Sequence, residues 1–348
     1  MDPLVSILIP AYNAERWIAD TIQSALAQTW PCKEVIIVDD GSRDQTLSIA
    51  RQFASNNVSV VTQENQGGSA ARNLAFNLCQ GEFMQWLDAD DLLSQDKIAR
   101  QMEAALEIGD SRILLSCPWG YFMYRPHRAR FNPTLLWADL SPLEWLVRKW
   151  ENNAHMNPAT WLVSRRLTEQ AGPWDKRLVY CEDGEYFCRV ILASHGIRFV
   201  PEATVLYRAT ASSASYMGRS TRKMESHLLG AQLEISYLQA FDDNERVRAA
   251  CLKYLQTWFL NFYPEQKALV ERLQQLAAML GGQLDVPKSA WKYRWIEKLF
   301  GLTAAKRARY RWNQCKSLAI RSWDNALFRL EGGNAAWRSC SFRETSAQ

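Results

Sequence analysis

The 348-residue chain is predicted to be an α/β protein built on an open, mostly parallel, doubly wound sheet flanked by helices, with a C-terminal helical extension. Two observations predict it. Short β-branched runs without polar alternation, at residues 4–9 and 35–38, suit strands covered on both faces. Segments with apolar residues at helical spacing fall between such runs, the order that specifies parallel strands joined by crossover helices.

Taken in order, residues 14–27 place Trp17, Ile18, Ile22, Ala25 and Leu26 on one helical face, and residues 45–54 do the same with Leu47, Ile49, Ala50 and Phe53. A third strand at 58–61 leads through Gly67-Gly68 into a helix over 70–78, and a fourth at 83–87 ends in Asp88-Ala89-Asp90-Asp91. Beyond about residue 110 the pattern loosens into shorter strands at 113–116, 199–200 and 204–207, around a Pro- and Trp-rich stretch expected to shape the site of a second substrate. Helices are expected over 224–238, from a cap at Asp242 or Asp243 to 262, and over 264–280, closed by Gly281-Gly282. The boundary between the α/β domain, 1–215, and the helical region, 216–348, is placed there.

A hydrophobic fraction of 47% is enough for a sizeable core, and the net charge of +4 is too small to imply a nucleic-acid partner; none is expected. The eight cysteines form no CxxC pair and, with no secretory signal, read as reduced thiols of a cytoplasmic protein. No stretch approaches the roughly 18 apolar residues of a transmembrane helix. None of the four histidines has ligand spacing.

In sheets of this kind ligands bind beyond the carboxyl ends of the strands. All four strand ends here are polar: Pro10-Ala11-Tyr12-Asn13, Asp39-Asp40-Gly41-Ser42, Glu64-Asn65-Gln66-Gly67-Gly68 and Asp88-Ala89-Asp90-Asp91. Three carboxylates at the last position repel one another unless a cation holds them, and hard oxygens suit Mg²⁺ or Mn²⁺, whose shell substrate phosphates commonly complete. The plainer reading is a cap for the following helix. Tyr12 could stack on a nucleobase, while Asn13 could simply cap the first helix; Asp39 and Asp40 could accept from a base or ribose, or form an Asp-Gly turn. Arg72, in the first turns of the third helix, suits phosphate, although a solvated arginine is the alternative. A second carboxylate pair, Glu182-Asp183, can direct only one member into a site if it lies on a helix. Asp183 is taken as the acid or base, with Glu182 or Glu185 satisfied structurally. No GxGxxG and no GxxxxGK[ST] occurs, which disfavours dehydrogenases and kinases.

Together, residues 5–13, 37–44, 64–73, 87–91 and 182–183 resemble the family 2 glycosyltransferases, which adopt the GT-A fold, over about residues 4–215. The resemblance implies an inverting enzyme that moves one sugar from a nucleotide diphosphate sugar, a UDP-sugar by expectation, to a glycan or lipid-linked acceptor in cell-surface polysaccharide assembly. It implies that Pro10, Ala11, Tyr12 and Glu15 line the nucleoside pocket, with Asp39 or Asp40 on the base. Arg72 would lie near the diphosphate, Asp88 near the ribose, and Asp90, with Asp88, on the metal. Asp183 matches the general base. Tyr207-Arg208, with Ser213 and Ser215, resembles the loop that folds over the donor, but Thr210 stands where many relatives carry a histidine. The Gln-x-x-Arg-Trp motif of processive members is missing before Trp312. A non-catalytic nucleotide-sugar-binding or membrane-surface scaffold on the same fold is the alternative.

Between residues 288 and 321 ten basic residues face one acid, Glu297, with Trp291, Trp295 and Trp312 among the interleaved aromatics. This fits either an anionic membrane surface at the inner face of the cell membrane or a helix packing its aromatics onto the rest of the protein.

Overall fold

The computed structural model describes residues 2–210, 220–286 and 290–332. The chain divides into two compact units, residues 1–122 with 129–247, and residues 123–128 with 248–348.

The first unit opens with β1 (Val5–Ala11), α1 (Ile18–Leu26), β2 (Lys33–Asp39), α2 (Thr46–Arg51), β3 (Val58–Thr62), α3 (Gly68–Leu78) and β4 (Phe83–Trp86). There follow β5 (Leu92–Leu93), α4 (Lys97–Ile108), β6 (Ile113–Ser116), β7 (Trp119–Phe122), β8 (Arg130–Phe131), α5 (Pro142–Glu151), β9 (Val163–Ser164), α6 (Arg165–Ala171), α7 (Glu182–Ala193), β10 (Gly196–Phe199), β11 (Val205–Arg208) and α8 (Thr221–Phe241). The main sheet runs β3-β2-β1-β4-β9, parallel except for β9. β5-β11-β7-β8 and the pair β10-β6 complete the strands. This is the expected α/β architecture.

Register explains why the polar loops gather. Ala11 pairs with Asp39, Asp39 with Thr62, and Leu8 with Trp86, so the strands run out side by side along one edge. Their middles, Ile7, Ile9, Val35 and Ile37, are fully buried, as continuous apolar strands under helices should be. Behind β4, Trp86, Trp174 and Tyr186 make an aromatic cluster, with Trp174 stacked on Tyr186 at 3.9 Å.

Three local expectations are corrected. Helix α1 starts at Ile18, not near residue 14, because Asn13 adopts a left-handed φ of 49° and its amide oxygen accepts from Arg43 N at 2.9 Å rather than capping α1. The acidic cluster does not cap α4, whose N-cap is Asp96. The first unit also extends to Val247, past the boundary expected at 215, because α8 packs on α7. There the Ser226 hydroxyl accepts from Val179 N and Tyr180 N, and Tyr237 donates to Glu185 at 3.1 Å.

In the second unit, α10 (Lys267–Met279), α11 (Arg294–Phe300) and α12 (Leu302–Leu330) follow α9 (Glu245–Phe262), which begins at the boundary between the units. Asp324 on α12 accepts from Tyr124 N and Arg125 Nε, and Glu331 pairs with Arg125 at 2.8 Å, fixing residues 123–128 to α12. Lys306 donates to Tyr263 O and Glu265. No described helix is long and apolar enough to cross a membrane.

Candidate active site

The first two strand ends interlock. Asn13 N donates to Ser42 Oγ, Ala14 N to Thr46 Oγ1, and Gln45 N to the Glu15 carboxylate at 3.0 Å. Glu15 is therefore engaged in joining two loops. Tyr12 stands half exposed at the mouth, Pro10 is partly buried and Ala11 buried.

Asp39 and Asp40 diverge. Asp40 spends its carboxylate on the next loop, accepting from Gln63 Nε2 at 2.7 Å, Gln66 N at 2.9 Å and Gly67 N at 2.8 Å. Asp39 Oδ2 accepts from Ser42 N and Thr62 Oγ1, but its Oδ1 is buried with no partner among the described residues. Such an orphan acceptor needs a ligand donor or costs free energy. Gly41 makes the turn possible: its φ is +70°, and a Cβ there would meet Asn65 N at 2.9 Å.

The acidic turn is braced from below. Thr21 on α1 donates to Ala89 O and Asp91 O, and the Asp91 carboxylate accepts from Asn157 Nδ2 and Arg208 N, both at 2.9 Å. Arg208, 3% exposed, donates to Asp90 O at 2.9 Å, reaches Asp20 at 3.4 Å, and lies over Trp17 and Phe122. It is a buried strut under the turn. Tyr207 is half-buried, its ring edge-on to Trp119, and Ser213 and Ser215 fall outside the described residues.

Asp91 is thus consumed internally, leaving Asp88 and Asp90. Burial, and then the charge of Asp88, push the Asp90 carboxyl up to about 6, against the pull of Arg208. Adjacent hard oxygens disfavoured as anions fit a divalent cation. No described group of three or more His, Cys, Asp or Glu forms a ligand cage; a two-carboxylate site completed by phosphate is the form Mg²⁺ commonly takes.

Arg72 joins this turn to α7. Its Nη2 donates to Asp88 at 2.7 Å and its Nη1 to Glu182 at 3.1 Å, while the guanidinium lies 4.5 Å from the Trp174 ring centroid. Burial opposes its charge, but Asp88 and Glu182 outweigh that and raise its pKa. Both amino groups face carboxylates in this arrangement.

Of the carboxylates at the start of α7, Glu182 pairs with Arg72, and Glu185 with Arg189 and Tyr237. Asp183, half-buried in the first turn, forms no hydrogen bond or ion pair with any described residue. Cys181 lets the chain enter α7 abruptly through a left-handed φ of 56°. Sequence reasoning missed the supports: Asn157, Asp20, Thr21 and Trp174 carry no motif. It also set aside His155, whose ring packs edge-on against Trp119.

Residues 6–170 match Glycosyl transferase family 2. The chain is 29% identical over 199 residues to an uncharacterized glycosyltransferase of Rickettsia typhi, a match covering 55% of this chain and only 60% of that one. It is also 29% identical over 236 residues to the UDP-Glc:alpha-D-GlcNAc-diphosphoundecaprenol beta-1,3-glucosyltransferase of Escherichia coli, covering 67% of this chain and 88% of that one. The S. aureus TarS 1–349 structure in complex with UDP-GlcNAc superimposes with a TM-score of 0.61 at 20% identity, over 80% of this chain and 81% of that one, a likeness of fold. The family's match lies on the strands and loops that build this site, so residues 6–170 are those of a glycosyl transferase family 2 domain.

Proposed function

We propose that the protein is an inverting glycosyltransferase that moves one hexosyl or N-acetylhexosaminyl unit from a UDP-sugar to a hydroxyl of a glycan or lipid-linked acceptor in cell-surface polysaccharide assembly. The observation that carries this reading is the Asp183 carboxylate, which pairs with no described residue and starts a helix that the chain Asp88–Arg72–Glu182 ties to the acidic turn. The Escherichia coli relative, named for a UDP-glucose donor and a diphosphoundecaprenol acceptor, supports the donor and acceptor classes.

In this reading Asp39 Oδ1 accepts from the imide N–H of the base, Tyr12 covers the base, and Pro10, Ala11 and Glu15 shape the pocket wall. Asp40 keeps the loop at 63–67 in place, and Asp88 lies at the ribose. Asp90, with Asp88, would hold Mn²⁺ or Mg²⁺, which when bound neutralises the departing diphosphate. Asp183 takes the acceptor hydroxyl proton as the oxygen forms its bond to C1 of the sugar and the bond from C1 to the diphosphate oxygen breaks on the opposite face. Configuration at C1 inverts. Tyr207 and Arg208 close the donor side, Arg208 by fixing the Asp90 backbone. Nucleotide sugar and lipid-linked acceptor would meet at the cytoplasmic face of the membrane.

Radiolabelled UDP-glucose and UDP-N-acetylglucosamine, offered with a diphosphoundecaprenol-linked acceptor, test this. Transfer with inversion at C1, lost with EDTA, is expected, and Asp183→Asn should lower kcat about 100-fold while leaving the donor KM near its original value. Retention at C1, or wild-type turnover by the variant, overturns the assignment.

A further inference from the structure

Helix α12 spans 29 residues, yet Ala305 alone is buried among its described side chains. Trp312, Cys315, Ala319, Trp323, Ala326 and Leu330 follow one another at steps of three and four residues, and at about 100° per residue they fall within an arc of roughly 80°. All six are exposed, Trp312 by 61% and Trp323 by 68%. An apolar stripe of about 27 Å therefore faces solvent. Sequence alone left open whether the aromatics pack inward; on α12, Trp312 and Trp323 do not.

The flanks identify what covers the stripe. Arg311 and Arg329 border one side, Arg309 and Lys316 the other, and none of the four forms an ion pair with a described residue. The helix has a single acid, Asp324, already bonded to Tyr124 and Arg125. A second copy of the helix would bring basic flanks against basic flanks with no carboxylate between them. An apolar strip bordered by cations matches a bilayer surface, with indole rings at the headgroup boundary and guanidinium groups on lipid phosphates. On α11, Trp295 and Leu299, four residues apart, are exposed as well.

We propose that the Trp312–Leu330 stripe of α12 lies in the interfacial plane of an anionic lipid bilayer and seats the chain there. The proposal does not depend on the transfer reaction, and its test reads binding alone. The full chain is co-sedimented with phosphatidylcholine vesicles with and without phosphatidylglycerol. Binding is expected only when phosphatidylglycerol is present. R311Q/R329Q should lower the partition coefficient about thirtyfold, and W312S/W323S should abolish binding although every charge remains. Both pairs are exposed, so the melting temperature should hold and show that the variants fold. Equal binding to neutral vesicles, or wild-type binding by either variant, overturns the proposal. So does a lipid-free dimer in sedimentation velocity that W312S/W323S dissolves, which would make the stripe an interface between copies.

Discussion

Asp39 and Asp40 are neighbours of identical chemistry with different surroundings, and exchange of each should produce a different failure. Asp40→Ala strips the acceptor from Gln63 Nε2, Gln66 N and Gly67 N and should cost about 2–3 kcal/mol in urea denaturation. Asp39→Asn keeps the shape but makes one of its two side-chain acceptors a donor. A donor KM raised about tenfold, with a smaller loss of stability, is the expected result; equal unfolding losses in the two variants would refute the division. The sequence placed both aspartates at a strand end but could not rank them, because the ranking depends on which backbone N–H groups the following loop aims at Asp40. Asp183 was more legible. Helical geometry alone says that Glu182 and Asp183 face differently, and Arg72, 110 residues from Glu182 in the chain, pairs with Glu182, which supports our proposal of Asp183 as the base.

That arginine makes α3, the acidic turn and α7 one mechanical element. Arg72→Met should leave Asp88 and Glu182 without a counter-charge and destabilise the fold by about 2–3 kcal/mol, less than a fully buried pair because both carboxylates are partly exposed. In a double-mutant cycle with Glu182→Gln the losses should fall short of their sum; strict additivity would show that the bridge carries no energy. Among the elements, β1 to β4 were readable because strands covered on both faces leave uninterrupted apolar runs. Helices α4, α5, α6 and α7 were not, and length is not the reason, since α1 and α2, of 9 and 6 residues, were read. The apolar positions of α5 and α7 include Trp145, edge-on to Trp161, and Tyr186, edge-on to Trp86, which serve ring contacts instead of lining a plain stripe.

Across the whole molecule, two buried bases make stability rise with pH, while Asp90, raised from 3.8 to about 6, opposes His227 in the acidic range. Burial lowers His227 from 6.5 to about 4 and Lys97, bonded to Gln85 and Trp161 O, from 10.5 to about 7. Between each pair of values the unfolded chain binds a proton that the native chain refuses, so both groups make stability rise with pH. Their contributions are complete above pH 6.5 and 10.5 and are lost as pH falls to about 4 and 7. For His227 the loss is on the order of 3 kcal/mol. Denaturant midpoints across pH should show both slopes, His227→Gln flattening the acidic one and Lys97→Met the alkaline one; unchanged slopes would assign the pH response elsewhere.

Cys315 is the one exposed thiol among the described residues, and it sits on the solvent-facing stripe of α12. Among these thiols, a maleimide supplied in limiting amount should couple there first. The native chain thus comes with its own labelling handle, and a solvatochromic dye attached to it would change colour on immersion in hydrocarbon but not on contact with a soluble glycan.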